Sequence, residues 1–182
     1  AHGSVDWVLE GGSIDVDGEG TCLTTTQCLL NPNRNPEMTA RDLEKSLRDS
    51  LGITKVIWLK DGLINDHTDG HIDTIVRFAS PGVVLCMEAR EQDDPNREIL
   101  AQLIHDLENS SDAKGRKLKV VRAPSPGTVL NEEGRLMPAS YMNFYISNKT
   151  VIVPVYGTRY DDEAVRVVVA GAGMQRVTRA SS

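Results

Sequence analysis

Residues 72–87 read IDTIVRFASPGVVLCM, two stretches rich in β-branched and other apolar residues on either side of Ser80-Pro81-Gly82. β-branched residues favour strands, and Pro-Gly marks a turn. The pattern predicts a β-hairpin with strands over 72–78 and 83–87.

A helix and a further strand are predicted after this hairpin. Apolar residues recur at helical spacing from Ile99 to Leu107, with Asp94 as the N-cap and Pro95 at the first helical position. Residues 118–121 then predict a buried strand. The order of the unit is therefore strand, strand, helix, strand.

The same order recurs on both sides of this unit, which indicates an internal repeat. In the first copy Asp17-Gly18 marks the hairpin, Thr39 caps the helix and Gly52 ends it. We expect one α/β domain over 1–182 built of three modules at about 5–60, 68–122 and 138–178. The predicted elements of the outer modules are strands 13–16, 21–25, 55–59, 142–146 and 151–155, a helix at 161–169, a last strand near 175–178 and a frayed polar tail at 179–182.

Composition limits the function classes. The chain has 20 basic and 26 acidic residues, a net charge of −6, and no run of Lys or Arg, so we expect no nucleic-acid partner. No stretch resembles a membrane span or a secretory signal, which predicts no membrane partner. The three cysteines are an odd number and have no spacing typical of a metal site. We therefore expect the protein to be located in the reducing cytoplasm.

Two segments carry candidate chemistry, Glu10-Gly11-Gly12 and the run from His67 to Asp73. His71 and Asp73 stand two apart at the predicted start of a strand, so their side chains should share a face. The alternation of His67, Asp69, His71 and Asp73 is also typical of a metal-ligating strand, which leaves a metal-dependent hydrolase as one alternative. A third interpretation is that Asp69 makes a turn that positions His71.

Several motifs in order resemble the agmatine deiminases and the bacterial-type peptidylarginine deiminases. They are residues 10–14, 17–21, 28–36, 68–73 and 138–145. The resemblance covers the middle of the family's sequence. It implies the pentein fold, an α/β-propeller of five modules, of which this chain would hold about three.

The resemblance also implies roles for individual residues. His71 would be the general acid/base, Glu10 would orient its ring, and Asp73 would grip the substrate guanidinium. Asn143 and Asp69 are further candidates for substrate binding, although Asn143 is equally well explained by a turn or ladder role. From their position, Asn33, Arg34 and Asn35 are predicted to tie the loop before the first helix by hydrogen bonds.

The implied reaction hydrolyses a guanidino group, for example agmatine and water to N-carbamoylputrescine and ammonia in polyamine metabolism, with no cofactor and no metal. In the family a cysteine attacks the guanidinium carbon. Cys22, Cys28 and Cys86 stand among apolar neighbours and match no nucleophile motif. We therefore expect a truncated, inactive chain, with a homo-oligomer or a complementing chain as partner, or else a catalytically silent protein that binds agmatine, arginine or peptidyl arginine.

Overall fold

Three small sheets of three strands each form the framework of the chain. The computed structural model describes residues 6–174 and 176–181. In the first sheet β1 (Ile14–Val16) pairs antiparallel with β2 (Thr21–Thr25), which pairs parallel with β3 (Lys55–Leu59). Two helices, α1 (Thr26–Leu29) and α2 (Ala40–Leu51), connect β2 to β3.

The second and third sheets have the same topology. The second contains β4 (Val76–Ser80), β5 (Val83–Glu88), α3 (Arg97–Asn109) and β6 (Lys119–Pro124). The third contains β7 (Tyr145–Ile146), β8 (Val151–Val155), α4 (Asp161–Gly171) and β9 (Val177–Ser181). The chain thus has a mixed α/β fold in which each sheet has a hairpin, a helical crossover and a parallel third strand.

Local sequence explains the ends of α2. The Thr39 side chain accepts a hydrogen bond from the Asp42 amide while Asp42 accepts one from the Thr39 amide, a reciprocal capping box. Gly52 ends the helix in the left-handed region at φ 71°. The cap at Thr39 and the end of the helix at Gly52 are as the sequence predicts, and the return bond from Asp42 adds to the cap.

Several element boundaries differ from the predictions, and for three of them the structure shows what differs. Strand β4 begins at Val76 and not at residue 72, because Ile72–Thr74 forms a 3₁₀ turn. Helix α3 begins at Arg97, because Asp94 accepts a hydrogen bond from the Asn96 amide in a separate turn and does not cap the helix. Strand β7 covers only Tyr145–Ile146 of the predicted 142–146.

The predicted polar tail is also wrong where the structure describes it. Residues 179–181 belong to β9 and pair with Val153–Val155, so backbone pairing with β8 orders a segment whose side chains are exposed. Residues 175 and 182 of the predicted last strand and tail lie outside the described residues. Within the described part of the chain, no helix is both long and apolar enough to cross a bilayer.

The main hydrophobic core lies around the second sheet and continues under the third. Leu85, Leu100 and Tyr141 are fully buried members of it. A smaller core, with Leu43 and Leu47 of α2, covers the first sheet. The candidate site lies where segments before the first and second sheets meet.

Candidate active site

Glu10 and His71 are in direct contact although they are far apart in sequence. The Nε2 atom of His71 lies 3.1 Å from Oε2 of Glu10. Each residue immediately precedes a 3₁₀ turn, Gly11–Ser13 after Glu10 and Ile72–Thr74 after His71. An ionised carboxylate can only accept a hydrogen bond, so Nε2 carries a proton and Nδ1 is the nitrogen left to exchange one.

A tight loop before His71 sets the position of its backbone. The Asp66 carboxylate accepts hydrogen bonds from the Thr68 hydroxyl at 2.7 Å and from the His71 amide at 3.2 Å. Asp69 and Gly70 both have positive φ, 57° and 80°. A left-handed turn therefore interrupts residues 67–73, which agrees with the interpretation that Asp69 makes a turn before His71 and not with the alternative of a metal-ligating strand.

His71 and Asp73 nevertheless converge, and they do so against Gly12. A β-carbon on Gly12 would overlap Nδ1 of His71 and lie 2.8 Å from Oδ2 of Asp73. The predicted pair thus shares one small space, although a 3₁₀ turn brings it together and not strand alternation. The absence of a side chain at Gly12 is what leaves room for both groups.

Asp73 is a carboxylate with an unusual environment. Its Oδ1 atom is buried and has no hydrogen-bond donor among the described residues. Burial raises the pKa of the Asp73 carboxyl, with His71 and Arg77 partly opposing the rise. An anionic oxygen held in this way favours the approach of a cationic donor.

Arg34 binds the other side of Glu10. Its Nε donates to Oε2 of Glu10 at 2.5 Å, its Nη2 donates to Oε1 at 3.3 Å, and its side chain is only 9% exposed. The bond from Arg34 is the main reason that the pKa of Glu10 is lowered, and His71 adds to the effect. Arg34 also donates from Nη1 to Oδ1 of Asn33 at 3.0 Å, which agrees with the predicted loop role, but that prediction did not include the contact with Glu10.

Asp69 is held by the same arginine. Its Oδ2 atom accepts from Nδ2 of Asn33 and from Nη1 of Arg34, each at 2.9 Å. These two bonds lower the pKa of Asp69. This pairing favours the interpretation that Asp69 shapes the loop before His71, and a role in substrate binding stays a prediction.

Asn143 lies on the chain just before β7, is exposed, and has no side-chain hydrogen bond with a described residue. Its neighbour Phe144 is fixed, because Arg77 donates from Nη1 to the Phe144 carbonyl at 3.2 Å and stacks on its ring. The same arginine donates from Nε to Asp15 at 2.9 Å. Arg77 therefore joins segments of all three sheets, while the substrate role of Asn143 stays a prediction.

The three cysteines are free and buried. Burial raises the pKa of Cys28 to about 11, and of Cys22 and Cys86 to about 12. These thiols have no activated environment, as the sequence predicts. Cys28 does adjoin the site, with Sγ 3.9 Å from Oε2 of Glu10, a contact that no pattern in the sequence predicts.

The predicted metal run does not form a cluster. Among the described residues, the one group of His, Cys, Asp and Glu side chains with closely spaced ligand atoms is Glu10, Cys28 and His71, all within 4.8 Å of one another. Arg34 already contacts the same Glu10 oxygen, and Cys28 is protonated at neutral pH. A divalent metal would have to compete with the Arg34 guanidinium for the Glu10 carboxylate. The arrangement therefore does not favour a metal centre.

Known proteins resemble the chain over nearly its whole length. Relatives from Mycoplasma mycoides subsp. mycoides and Yersinia pseudotuberculosis, each named "Putative agmatine deiminase", are 43% and 44% identical over 180 residues, which cover 90% of this chain and 49% of theirs. The chain thus spans about half the length of these curated relatives.

Solved structures give the same result. The agmatine deiminase of Enterococcus faecalis superposes with a TM-score of 0.91 at 38% identity, covering 98% of this chain and 53% of that one. A C. jejuni agmatine deiminase with its substrate bound has a TM-score of 0.87 at 31% identity, covering 98% and 52%. The model of one family, described as Porphyromonas-type peptidyl-arginine deiminase, matches residues 1–179. The chain belongs to this Porphyromonas-type peptidyl-arginine deiminase family.

Proposed function

We propose that this chain contributes the proton-transfer and cation-binding part of a guanidino-group hydrolase of agmatine deiminase type. The observation that carries the proposal is the hydrogen-bonded Glu10–His71 pair beside Asp73, whose buried oxygen has no donor among the described residues. A guanidinium is a planar cation with several N–H donors, and it complements such a carboxylate in charge and geometry.

Each of the three residues has a distinct role in this proposal. Asp73 accepts hydrogen bonds from the guanidinium and holds its carbon for attack. The Glu10 carboxylate accepts a hydrogen bond from the Nε2–H group of His71. This bond orients the ring so that its Nδ1 atom faces Asp73 and Gly12. His71 gives a proton to the departing ammonia and takes one from the water that releases the ureido product.

The nucleophile is proposed to lie outside this chain. A thiolate would form a bond to the guanidinium carbon as ammonia leaves, and water would then break that carbon–sulfur bond. The three cysteines present are buried, with pKa values raised to about 11 or 12. Because the chain spans about half the length of its relatives, we assign the thiolate to a further part of a longer protein or to a complementing chain.

The same reasoning extends to architecture and surroundings. Three sheets of one topology support a pentein propeller, in which two further modules of this kind would complete a ring. Without those modules, the two ends of the incomplete ring would leave sheet edges open. Further modules or a second copy of the chain would be needed to cover them. Free thiols and a net charge of −6 suit a cytoplasmic protein that binds a small cation, and the product named above would place it in putrescine biosynthesis.

A silent binding protein is the second candidate. The specific observation in its favour is that no cysteine among the described residues has an activating partner, whereas Asp73 and the Glu10–His71 pair are intact. Such a protein would bind agmatine, arginine or a peptidyl arginine without turnover.

One assay separates the two candidates. The purified protein is incubated with agmatine, ammonia and the ureido product are measured, and agmatine binding is measured by calorimetry on the same sample. Turnover that is lost in His71→Ala supports the hydrolase, with Cys22, Cys28 and Cys86 then replaced one at a time. Binding without turnover by the chain alone is expected of both candidates. The hydrolase then predicts that turnover appears when the remaining part of a longer relative is supplied as a second chain, and the silent protein predicts that it does not. A folded sample with neither binding nor turnover would refute both.

A further inference from the structure

We propose that Arg34 is a positioning residue for the Glu10–His71 pair, and that it fixes the ring of His71 by holding Glu10 from behind. The inference deepens the proposed function and rests on it for its catalytic meaning. The geometric part, that Arg34 sets the state of the His71 ring through Glu10, stands on contacts within the chain.

The first step is the shape of the contact. The Arg34 guanidinium spans both oxygens of Glu10, and its Nη2 also donates to the Thr68 carbonyl at 2.8 Å. Nη1 donates to Asp69 at 2.9 Å. One rigid planar group therefore links the segment of Glu10 to the loop that leads into His71.

The second step is the difference in burial. The Arg34 side chain is 9% exposed, whereas the Glu10 side chain is 40% exposed. A glutamate with this much exposure has free rotamers in water and does not hold an imidazole on its own. The buried arginine supplies the constraint that the glutamate lacks.

The third step is the anchoring of Arg34 itself. Its amide donates to the Asn31 carbonyl at 3.0 Å. The next residue, Asn35, accepts from the Val8 amide at 2.9 Å and donates to the Val8 carbonyl at 3.0 Å. Since Val8 stands two residues before Glu10, these bonds from the Asn35 side chain to the Val8 backbone also hold the loop against the glutamate segment.

The fourth step is charge. Arg34 lowers the pKa of Glu10, and the ionised Glu10 carboxylate can only accept a hydrogen bond from the Nε2–H group of His71. Without Arg34 the carboxylate can turn to solvent, and the proton of a neutral His71 can move to Nδ1. Replacing Arg34 should therefore change which ring nitrogen carries the proton.

The test is nitrogen NMR of the His71 ring in the folded protein at a pH where the ring is neutral. The wild type should hold the proton on Nε2. Arg34→Met should lower the ratio of the Nε2–H to the Nδ1–H form by about fivefold, the factor expected for losing one hydrogen bond. Arg34→Lys keeps the charge without the planar fork and should lie between the two. Arg122→Met is the matched control, because Arg122 also binds two carboxylates, Glu88 and Glu108.

A double variant separates action through Glu10 from a general structural effect. In a Glu10→Gln background, Arg34→Met should leave the ring ratio unchanged, because the route from Arg34 to His71 is already broken. Asp69→Asn weakens the contact between Arg34 and the loop before His71, and asparagine tolerates the positive φ of this position. It should lower the ratio of the Nε2–H to the Nδ1–H form by a smaller factor than Arg34→Met does. If Arg34→Met does not fold, Asp69→Asn replaces it in the test.

Two results would overturn the proposal. One is a folded Arg34→Met, or in its place Arg34→Lys and Asp69→Asn, with the ring ratio of the wild type. The other is an effect of Arg34→Met that persists in full in the Glu10→Gln background. An agmatine titration of the wild type in parallel keeps the two claims apart, because absent binding would count against the proposed function while the ring ratio still decides the role of Arg34.

Discussion

Oδ2 of Asp73 lies 2.8 Å from the point that a β-carbon on Gly12 would occupy, and Nδ1 of His71 would overlap the same point. Two segments distant in sequence therefore meet with no spare volume, and the backbone of Gly12 forms one wall of the candidate site. The position tolerates no side chain without moving a group that the proposed chemistry needs.

Gly12→Ala should displace His71 or Asp73. Because side chains and not only backbone must shift, we expect a loss of about 1–3 kcal/mol in the free energy of unfolding together with weaker agmatine binding. Gly11→Ala is the matched control, since a β-carbon there meets nothing within 4 Å. Chemical denaturation and calorimetry on both variants check this, and equal behaviour of the two alanines would contradict the geometry.

Asp73→Asn should stabilise the protein at neutral pH. The pKa of Asp73 is raised above 3.8 by burial, so the native state binds the proton more tightly than the unfolded chain does. Stability is then lost as pH rises through the native pKa, and the ionised form is the unfavourable one. Removing the charge should add roughly 1 kcal/mol at pH 7.

Below about pH 3.8 that gain should vanish, because the wild-type carboxyl is protonated in both states. Urea unfolding of the two proteins at pH 7 and pH 3.5 measures the difference. A variant that is less stable than the wild type at pH 7 would refute the claim that Asp73 is an uncompensated charge.

Glu10→Gln should have the opposite pH dependence. The bond from Arg34 lowers the pKa of Glu10 below 4.5, so the ionised form stabilises the native state above that pH and the contribution disappears as pH falls through the native pKa. Since the Glu10 side chain is 40% exposed, we expect a modest loss of about 0.5–1 kcal/mol at pH 7. The difference between wild type and variant should shrink towards pH 3, and a constant difference would argue against an ion pair.

Arg77→Met should be the most destabilising of these changes. Asp15 is largely buried, and burial raises its pKa although Arg77 opposes the rise. Removing the arginine leaves the buried Asp15 carboxylate without a counter-ion, although the Phe78 amide still donates to it, and frees the Phe144 carbonyl, which predicts a loss of about 3–5 kcal/mol.

The pH dependence of the Arg77→Met effect checks whether the ionised Asp15 carboxylate is its cause. At acid pH Asp15 becomes neutral, so the penalty of Arg77→Met should decrease, and Asp15→Asn in the same chain should recover part of the lost stability at pH 7. Thermal unfolding of the single and double variants decides it. Strictly additive losses would mean that the two residues act independently.

The sequence alone predicts the repeated strand, strand, helix, strand unit and the residues that meet at the candidate site. The turn signal of Asp17-Gly18 and the cap at Thr39 are local and are confirmed, whereas the equally local cap signal at Asp94 is not. His71, Asp73 and Glu10 were predicted together from motifs, and the structure places the His71 ring against Glu10 and both His71 and Asp73 against Gly12.

The parts that could not be predicted depend on contacts between distant segments. A turn at Asp69 is one of the interpretations that the sequence leaves open, whereas periodicity alone carries no information about the left-handed backbone of Asp69 and Gly70. Arg34 looked like a loop residue because its partners, Glu10 and Asp69, lie far away in sequence.

The central claim is that Asp73 receives a guanidinium beside the Glu10–His71 pair, and calorimetric titration of agmatine tests it most directly. The wild type and Gly11→Ala should bind alike, whereas Asp73→Asn should bind at least about tenfold more weakly because a charge-assisted bond worth some 1.5–3 kcal/mol is lost. Agmatine should also remove the stability difference between wild type and Asp73→Asn. Equal affinity of Asp73→Asn and the wild type would contradict the account.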